Sequence, residues 1–498
     1  MTVTRCDCDK DSMPRRGPDH EAPAGGCPGS SVLRHAVAGV LAGALGMVSL
    51  GAHATTGYFA LGYGAKSMGL AGAVVSNPQD SLAAAANPAG MALVGDRRVD
   101  LGVRMFSPIR EAELDPRVVG GSFKVDDKST DKIFVIPNMG FTQKVTDRLW
   151  LGFSAYGNGG LNTTYGRNIY DETSAVLGAA RVGGPAAAAA VPQGTTTGTE
   201  DTGTLGVDLK QIIFAPTAAF KFTDTLTVGV APLIAWQEFK AYGLGNFQCF
   251  TPTGNSDGGV SCQTTGQPAQ KSTHLTDRGG EGSYGFGVRA GVVWDAHPMV
   301  TLGLSGATQI DMDRFHKYQE LFAERGDLDI PANVAAGVTL HATPAIDIMF
   351  DWQHIFYKGP RSISNKGPVP SAAGPTLPAG SGLLGQDNGL GFGWQDVNIY
   401  RVAADWRINS EWGIRGGVAY NTNPINDSQI LFNVLAPATI QWHTTLGVTW
   451  HPKDYVEFSA AYMHAWENDN KTDQTAFGVP GKIQMYQNSL DVSVGVKF

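Results

Sequence analysis

A soluble chain of 498 residues would normally divide into two or more domains. This one is too poor in charge for that reading: Asp, Glu, Lys and Arg make up 16%, against about 25% in ordinary soluble proteins, while glycine fills 64 positions. A net charge of −8 with no basic stripe excludes a nucleic-acid partner, and a mean hydropathy of −0.10 suits strands that are apolar on one face only.

Residues 1–54 carry targeting information. A long polar n-region holding Cys6, Cys8 and Cys27 leads through Arg34 and His35 into an apolar run ending at Ala52-His53-Ala54. Small residues at these places are the cleavage pattern of a secretory signal, so the mature chain is expected to start at Thr55. The competing reading, an N-terminal membrane anchor, meets a run shorter than the ~20 residues a spanning helix needs. No cysteine follows the run, which leaves no site for a lipoprotein anchor.

Residues 55–97 form the next unit. They are too rich in Gly and Ala for a strand and too small-sided to build a core of their own. The last third reads as a short helix over 80–86, with Asp80 as its N-cap and Asn87-Pro88 as its stop. Such a segment needs something to surround it, and the reading is a plug, or hatch.

From residue 98 to residue 498 the chain alternates with period two. Val99, Leu101, Val103 and Met105 share one face of the first strand; Leu490, Val492, Val494, Val496 and Phe498 share one face of the last. Counting such segments predicts fourteen antiparallel strands. Tight turns near Thr146, Thr223, His297, Thr343, Asn409 and Pro452 follow every even-numbered strand, and long loops follow the odd ones. Short turns on one rim and long loops on the other are the layout of an outer-membrane β-barrel, whose sheet must close because an open edge in lipid leaves backbone groups unpaired. Trp236, Trp294, Trp352, Trp406, Trp412, Trp442 and Trp450 sit near strand ends, as interfacial girdles require. The fold class is therefore all-β: a fourteen-stranded transmembrane barrel plugged by a small helical hatch, in the outer membrane of a Gram-negative cell.

The inward faces carry many glycines and scattered charges, among them Arg104, Arg289, Arg401 and Arg415. Dispersed charges make no single-sign constriction ring, which disfavours a general porin. Each lumen charge reads either as half of an internal ion pair or as a receptor for a ligand carboxylate, which a guanidinium can grip with two bonds. After the signal only Cys249 and Cys262 remain, both in one polar loop; they are either a disulfide, suited to an oxidising compartment, or two free thiols. Gly64-Ala65-Lys66-Ser67 is a poor copy of a P-loop end, no serine sits in a nucleophile elbow, and His297, His341 and His451 read as interfacial residues beside turns. No enzyme, cofactor or metal site is expected.

The hatch segment DSLAAAANPAGM, with Asn87-Pro88-Ala89-Gly90, resembles that of the FadL/TodX-type outer-membrane transporters of long-chain fatty acids and aromatic hydrocarbons. Residues 136–165, 328–338 and 412–425 are similar as well, and Arg415 matches a recurrent basic residue. The resemblance implies capture of a hydrophobic ligand on outer loops, passage to a lumen site, release by a shift of the hatch, and lateral exit at a kink in the third strand. Gly157-Asn158-Gly159-Gly160 stands at the position for that kink, and reads equally well as an ordinary strand end. The partners implied are a hydrophobic small molecule, the bilayer with its lipopolysaccharide, and the barrel assembly machinery, whose signal Phe498 resembles; the chain is expected to be a monomer. A surface receptor or adhesin, with the barrel only an anchor, is the alternative.

Overall fold

A computed structural model describes residues 55–197, 203–371 and 374–498. The signal segment lies outside the described residues. Fourteen strands form one antiparallel sheet that closes on itself: β1 Arg97–Leu114, β2 Phe134–Lys144, β3 Leu149–Tyr165, β4 Leu205–Lys221, β5 Leu226–Tyr242, β6 Glu281–His297, β7 Val300–Ala307, β8 Asn333–Thr343, β9 Ile346–Ile355, β10 Val397–Arg407, β11 Trp412–Asn421, β12 Trp442–Lys453, β13 Val456–Thr472 and β14 Gly481–Lys497. Each strand pairs with its sequence neighbours, and β14 pairs β1 from Arg98↔Lys497 to Leu114↔Gly481. The predicted alternation of tight turns and long loops is present throughout.

The strands are unequal. β3 to β6, β13, β14 and β1 run to 17 or 18 residues, against 8 to 12 in β7 to β12. A tilted strand crosses a bilayer in about 9–11 residues, so the long strands rise past the membrane on the loop side. The loops pack into that raised cup. One of them holds a helix, Ile169–Ala189, which covers the alanine-rich run and breaks its helical geometry at Gly184, before Pro185. Cys249 and Cys262 are joined in the next loop, with Cα atoms 5.8 Å apart.

The hatch fills the barrel, and the wall is cut to fit it. A Cβ on Gly229 would lie 2.3 Å from the Ala89 nitrogen, one on Gly291 2.1 Å from Asn87 Oδ1, and one on Gly303 2.4 Å from the Val75 carbonyl. The inward glycines are therefore contact surfaces for hatch backbone. Inside the hatch the expected helix over 80–86 is only a 3-10 turn, Ala83–Ala85. Asp80 is not its cap: the N-cap is Leu82, without a side-chain cap, and Asp80 Oδ1 accepts from the Leu82 nitrogen at 3.0 Å just ahead of the turn. The turn stops ahead of Asn87-Pro88 as expected, Asn87 being extended, and Asn87 then caps another 3-10 turn, Pro88–Ala92, its side chain accepting from the Ala89 nitrogen at 3.1 Å. A short helix at Ala65–Gly69 was not expected from the sequence. Three glycines surround it in 62–69 and weaken any helical signal there.

Candidate functional site

Two apolar cavities lie under the outer loops. One is bounded by Leu244, Phe247, Leu321, Leu384, Phe432 and Leu435. The second reaches down to Tyr58 of the hatch and is bounded by Leu161, Leu209, Leu328, Ile363 and Trp394. Val207, Phe239, Phe322 and Phe392 line both, so the two are neighbours across one aromatic partition. These side chains come from the raised ends of β3 to β5 and from four loops, and the Cys249–Cys262 bond closes the loop that carries Phe247. Apolar walls of this kind offer a hydrophobic molecule roughly 25 cal/mol for each Å² it buries.

Beneath the second cavity the wall is incomplete. β2 and β3 pair only from Lys144↔Trp150 to Met139↔Ala155. Beyond that point β2 continues with β1 alone, and Pro137 has no N–H to donate. β3 continues with β4 to Tyr165↔Leu205, skipping a residue between Gly157 and Gly159. Residues 157–160 therefore do not end the third strand. Asn158 is a bulge within it, and the edge of β3 above Ala155 pairs with no strand of the barrel; at its far end the Thr130 nitrogen donates to the Thr164 carbonyl at 2.8 Å.

The hatch occupies that edge. Phe59 bridges Gly159, the Ala60 nitrogen donates to the Asn158 carbonyl at 3.1 Å, and the Gly160 nitrogen donates to the Tyr58 carbonyl at 3.1 Å. A Cβ on Gly159 would sit 1.9 Å from the Tyr58 oxygen, so glycine alone allows the approach. The Asn158 side chain points inward and starts a buried amide ladder. Its Nδ2 donates to Gln211 Oε1 at 3.1 Å, Gln211 Nε2 to Gln237 Oε1 at 3.1 Å, and Gln237 Nε2 to the Leu328 carbonyl at 3.0 Å. Leu328 belongs to the second cavity, so the bulge and the cavity are wired through three amides. This ladder joins four distant segments and has no local signature in the sequence.

The four lumen arginines separate into two pairs. Arg104 binds Asp491 at 2.7 Å and the Gly62 carbonyl at 2.6 Å, and Arg415 lies 3.4 Å from Asp405 and donates to Thr449 at 2.9 Å. For these two the internal ion pair is the better account. Arg289 and Arg401 have no carboxylate within ion-pair distance among the described residues. Arg289 donates to the Ala86 carbonyl at 3.2 Å, Arg401 to Gln353 at 2.7 Å, and the Nε of each is buried without a partner. Both border a polar cavity between hatch and wall, beside Tyr63, Ser67 and Gln353. Asn87 to Gly90 lie elsewhere, pinned to the wall: Asn87 Nδ2 donates to the carbonyls of Val75 at 2.8 Å and Val292 at 2.9 Å, and a Cβ on Gly90 would strike Pro78 at 2.4 Å.

Residues 381–497, the last five strands and the loop before them, match the family described as outer membrane protein transport protein (OMPP1/FadL/TodX). The fold of the chain is that of the FadL/TodX-type barrels. In fold it is similar to the Pseudomonas putida toluene transporter TodX, with a TM-score of 0.60 and 15% identity over 88% of this chain and 99% of that one. It is also similar to the Ralstonia pickettii toluene transporter TbuX, at 0.55 and 17% over 88% and 99%, and to a Pseudomonas aeruginosa FadL homologue, at 0.59 and 15% over 89% and 100%. At these identities the likeness is one of fold. No curated protein matches the chain in sequence. The matched family is described as one of outer-membrane transport proteins.

Proposed function

We propose that this barrel carries hydrophobic or amphipathic small molecules, long-chain fatty acids or aromatic hydrocarbons, from its outer loops into the lumen. Movement of the hatch N-terminus then lets them leave sideways at the β3 bulge. The observation that carries this reading is a juxtaposition: an apolar cavity bounded by Tyr58, and a stretch of wall sealed by residues 58–60 of that same hatch. The names of TodX and TbuX as toluene transporters support it. A ligand carboxylate would go to Arg289 and Arg401, which have no carboxylate within ion-pair distance among the described residues, although Asp351 stands opposite Arg401 on the neighbouring strand.

The test is uptake of radiolabelled oleate and toluene by Gram-negative cells with and without the gene. Uptake of either that depends on the gene supports the channel; uptake of neither favours the receptor or adhesin. Arg401→Ala should weaken oleate uptake and spare toluene, and equal loss of both would remove the carboxylate role. The receptor reading has less behind it, because the loop aromatics Phe247, Phe322, Trp394 and Phe432 are buried around the cavities and not turned outward.

A further inference from the structure

The hatch segment that seals the wall is gripped from the lumen side by one phenol. Tyr357, two residues beyond β9, is fully buried. Its hydroxyl accepts from the Tyr58 nitrogen at 3.0 Å and donates to the Thr56 carbonyl at 2.8 Å. Between those two residues Gly57 takes φ +73, and a Cβ there would lie 2.3 Å from the phenol oxygen. Only glycine permits both the backbone conformation and the approach. The Tyr357 ring packs edge-on against Tyr58, Phe59 and Trp394, with centroids 5.5, 6.0 and 5.1 Å away. Trp394 is fixed in turn by its indole N–H, which donates to Asn433 at 2.6 Å.

Tyr58 and Trp394 are also walls of the inner apolar cavity. Their rings stand 6.1 Å apart, so a molecule entering that cavity meets the same Tyr58 ring that rests on Tyr357. The segment is also paired along the edge of β3 by backbone bonds, and just beyond it Arg104 holds the Gly62 carbonyl and the Tyr63 hydroxyl donates to Asn158.

We propose that Tyr357 is the latch of the wall seal. Its hydroxyl holds residues 56–58 in the closed position, and a hydrophobic ligand in the cavity displaces the Tyr58 ring and releases the clamp. A ligand can shift this equilibrium only by preferring the open state, and the shared Tyr58 wall gives it the means. Tyr357 is a positioning residue: it acts on the gate and not on the ligand. The inference rests on the reading of a hatch-gated lateral channel.

Tyr357→Phe tests it, since the ring and its packing stay and only the hydroxyl is lost. Two readouts are made on the full mature protein: uptake of labelled oleate and toluene, and amide exchange of the hatch in detergent. The latch predicts exchange over 55–62 faster by roughly tenfold, as expected for two lost hydrogen bonds, with 75–94 unchanged. It also predicts a severalfold higher maximal uptake rate at an unaltered half-saturating concentration. Unchanged exchange over 55–62, or an equal rise over 75–94, overturns the latch. So does faster exchange with no gain in maximal rate in a protein that takes up a probe. If the wild type takes up neither oleate nor toluene, the channel reading fails by itself, and the exchange comparison still decides whether Tyr357 holds the segment.

Discussion

The two halves of the hatch are attached to the barrel by different chemistry. Residues 65–94 are fastened by buried charged and polar groups of the wall: Lys66 pairs with Glu457, Gln79 donates to Asp405 at 2.8 Å, Ser81 donates twice to Asp100 at 2.6 and 2.8 Å, and Val75 donates to Asp351 at 2.9 Å. Arg98 holds Asp100 with two bonds of 2.7 Å and also reaches Glu457, so these anchors are themselves braced. Residues 55–64 carry no charge, and besides Arg104 on the Gly62 carbonyl they are held by backbone pairing, aromatic contacts and two phenols, Tyr357 on Tyr58 and Tyr63 on Asn158. Breaking one partner of a buried ion pair costs about 3–5 kcal/mol, whereas a neutral hydrogen bond is worth about 1. On the proposed reading of a gated channel, the difference makes residues 65–94 the plug and residues 55–64 the door.

The sharpest way to break that comparison is to unseat the plug. Gly291→Val places a side chain where Asn87 Oδ1 now lies, 2.1 Å from the new Cβ. The hatch cannot then lie against β6, and single-channel conductance in a planar bilayer should rise severalfold above the wild-type level. Removing 55–94 altogether should do the same. An unchanged conductance in both would mean that these residues do not close the pore.

A smaller and more selective effect is expected from deleting 55–61. That removes the strand-like seal on β3 and leaves every charged anchor of 65–94 in place. Ion conductance should stay at the wild-type level while uptake of hydrophobic probes no longer saturates. A jump in conductance equal to that of Gly291→Val would erase the distinction between the two halves.

Next in size is the amide ladder. Gln237→Leu leaves the Gln211 Nε2 without its acceptor and the Leu328 carbonyl without its donor in a buried site, a loss of about 1–3 kcal/mol. It should loosen the bulge at Asn158, read as faster amide exchange over 156–163, without altering conductance. Equal protection in wild type and variant would show that the ladder does not support the bulge.

These features were unequally legible in the sequence. Strand alternation and turn placement follow from local residue preferences, so all fourteen strands and the six tight turns could be read off. Lengths could not, because the ends of β3 to β6 rise out of the membrane, where the alternation is no longer imposed by lipid. Gly157 to Gly160 carry a breaking signal, and the hatch supplies the missing edge that lets β3 run on through them. Arg104 and Arg289 look alike in sequence; what separates them is Asp491, a strand partner far along the chain. Tyr357 gave no signal at all, since its partner Tyr58 is 299 residues away.

The smallest expected effect concerns the loop that brings Leu328 to the inner cavity. Burial, and Asp329 beside it, push the Asp327 carboxyl up to about 7. The loop is already constrained there: Glu324 and Arg325 take φ of 54 and 62, a left-handed conformation that side chains disfavour. A carboxyl whose pKa is higher folded than unfolded stays protonated in the fold, so its contribution is neutral at low pH. It turns unfavourable as pH climbs from near the ordinary carboxylate value through about 7. The loop should therefore open more readily at pH 8 than at pH 5.5, measured as amide exchange over 313–330 corrected for intrinsic rates. Asp327→Asn should remove that dependence and hold the loop in its low-pH state. A pH dependence that survives the substitution would place the titrating group elsewhere, and with it the weakest wall of the cavity that Tyr58 shares.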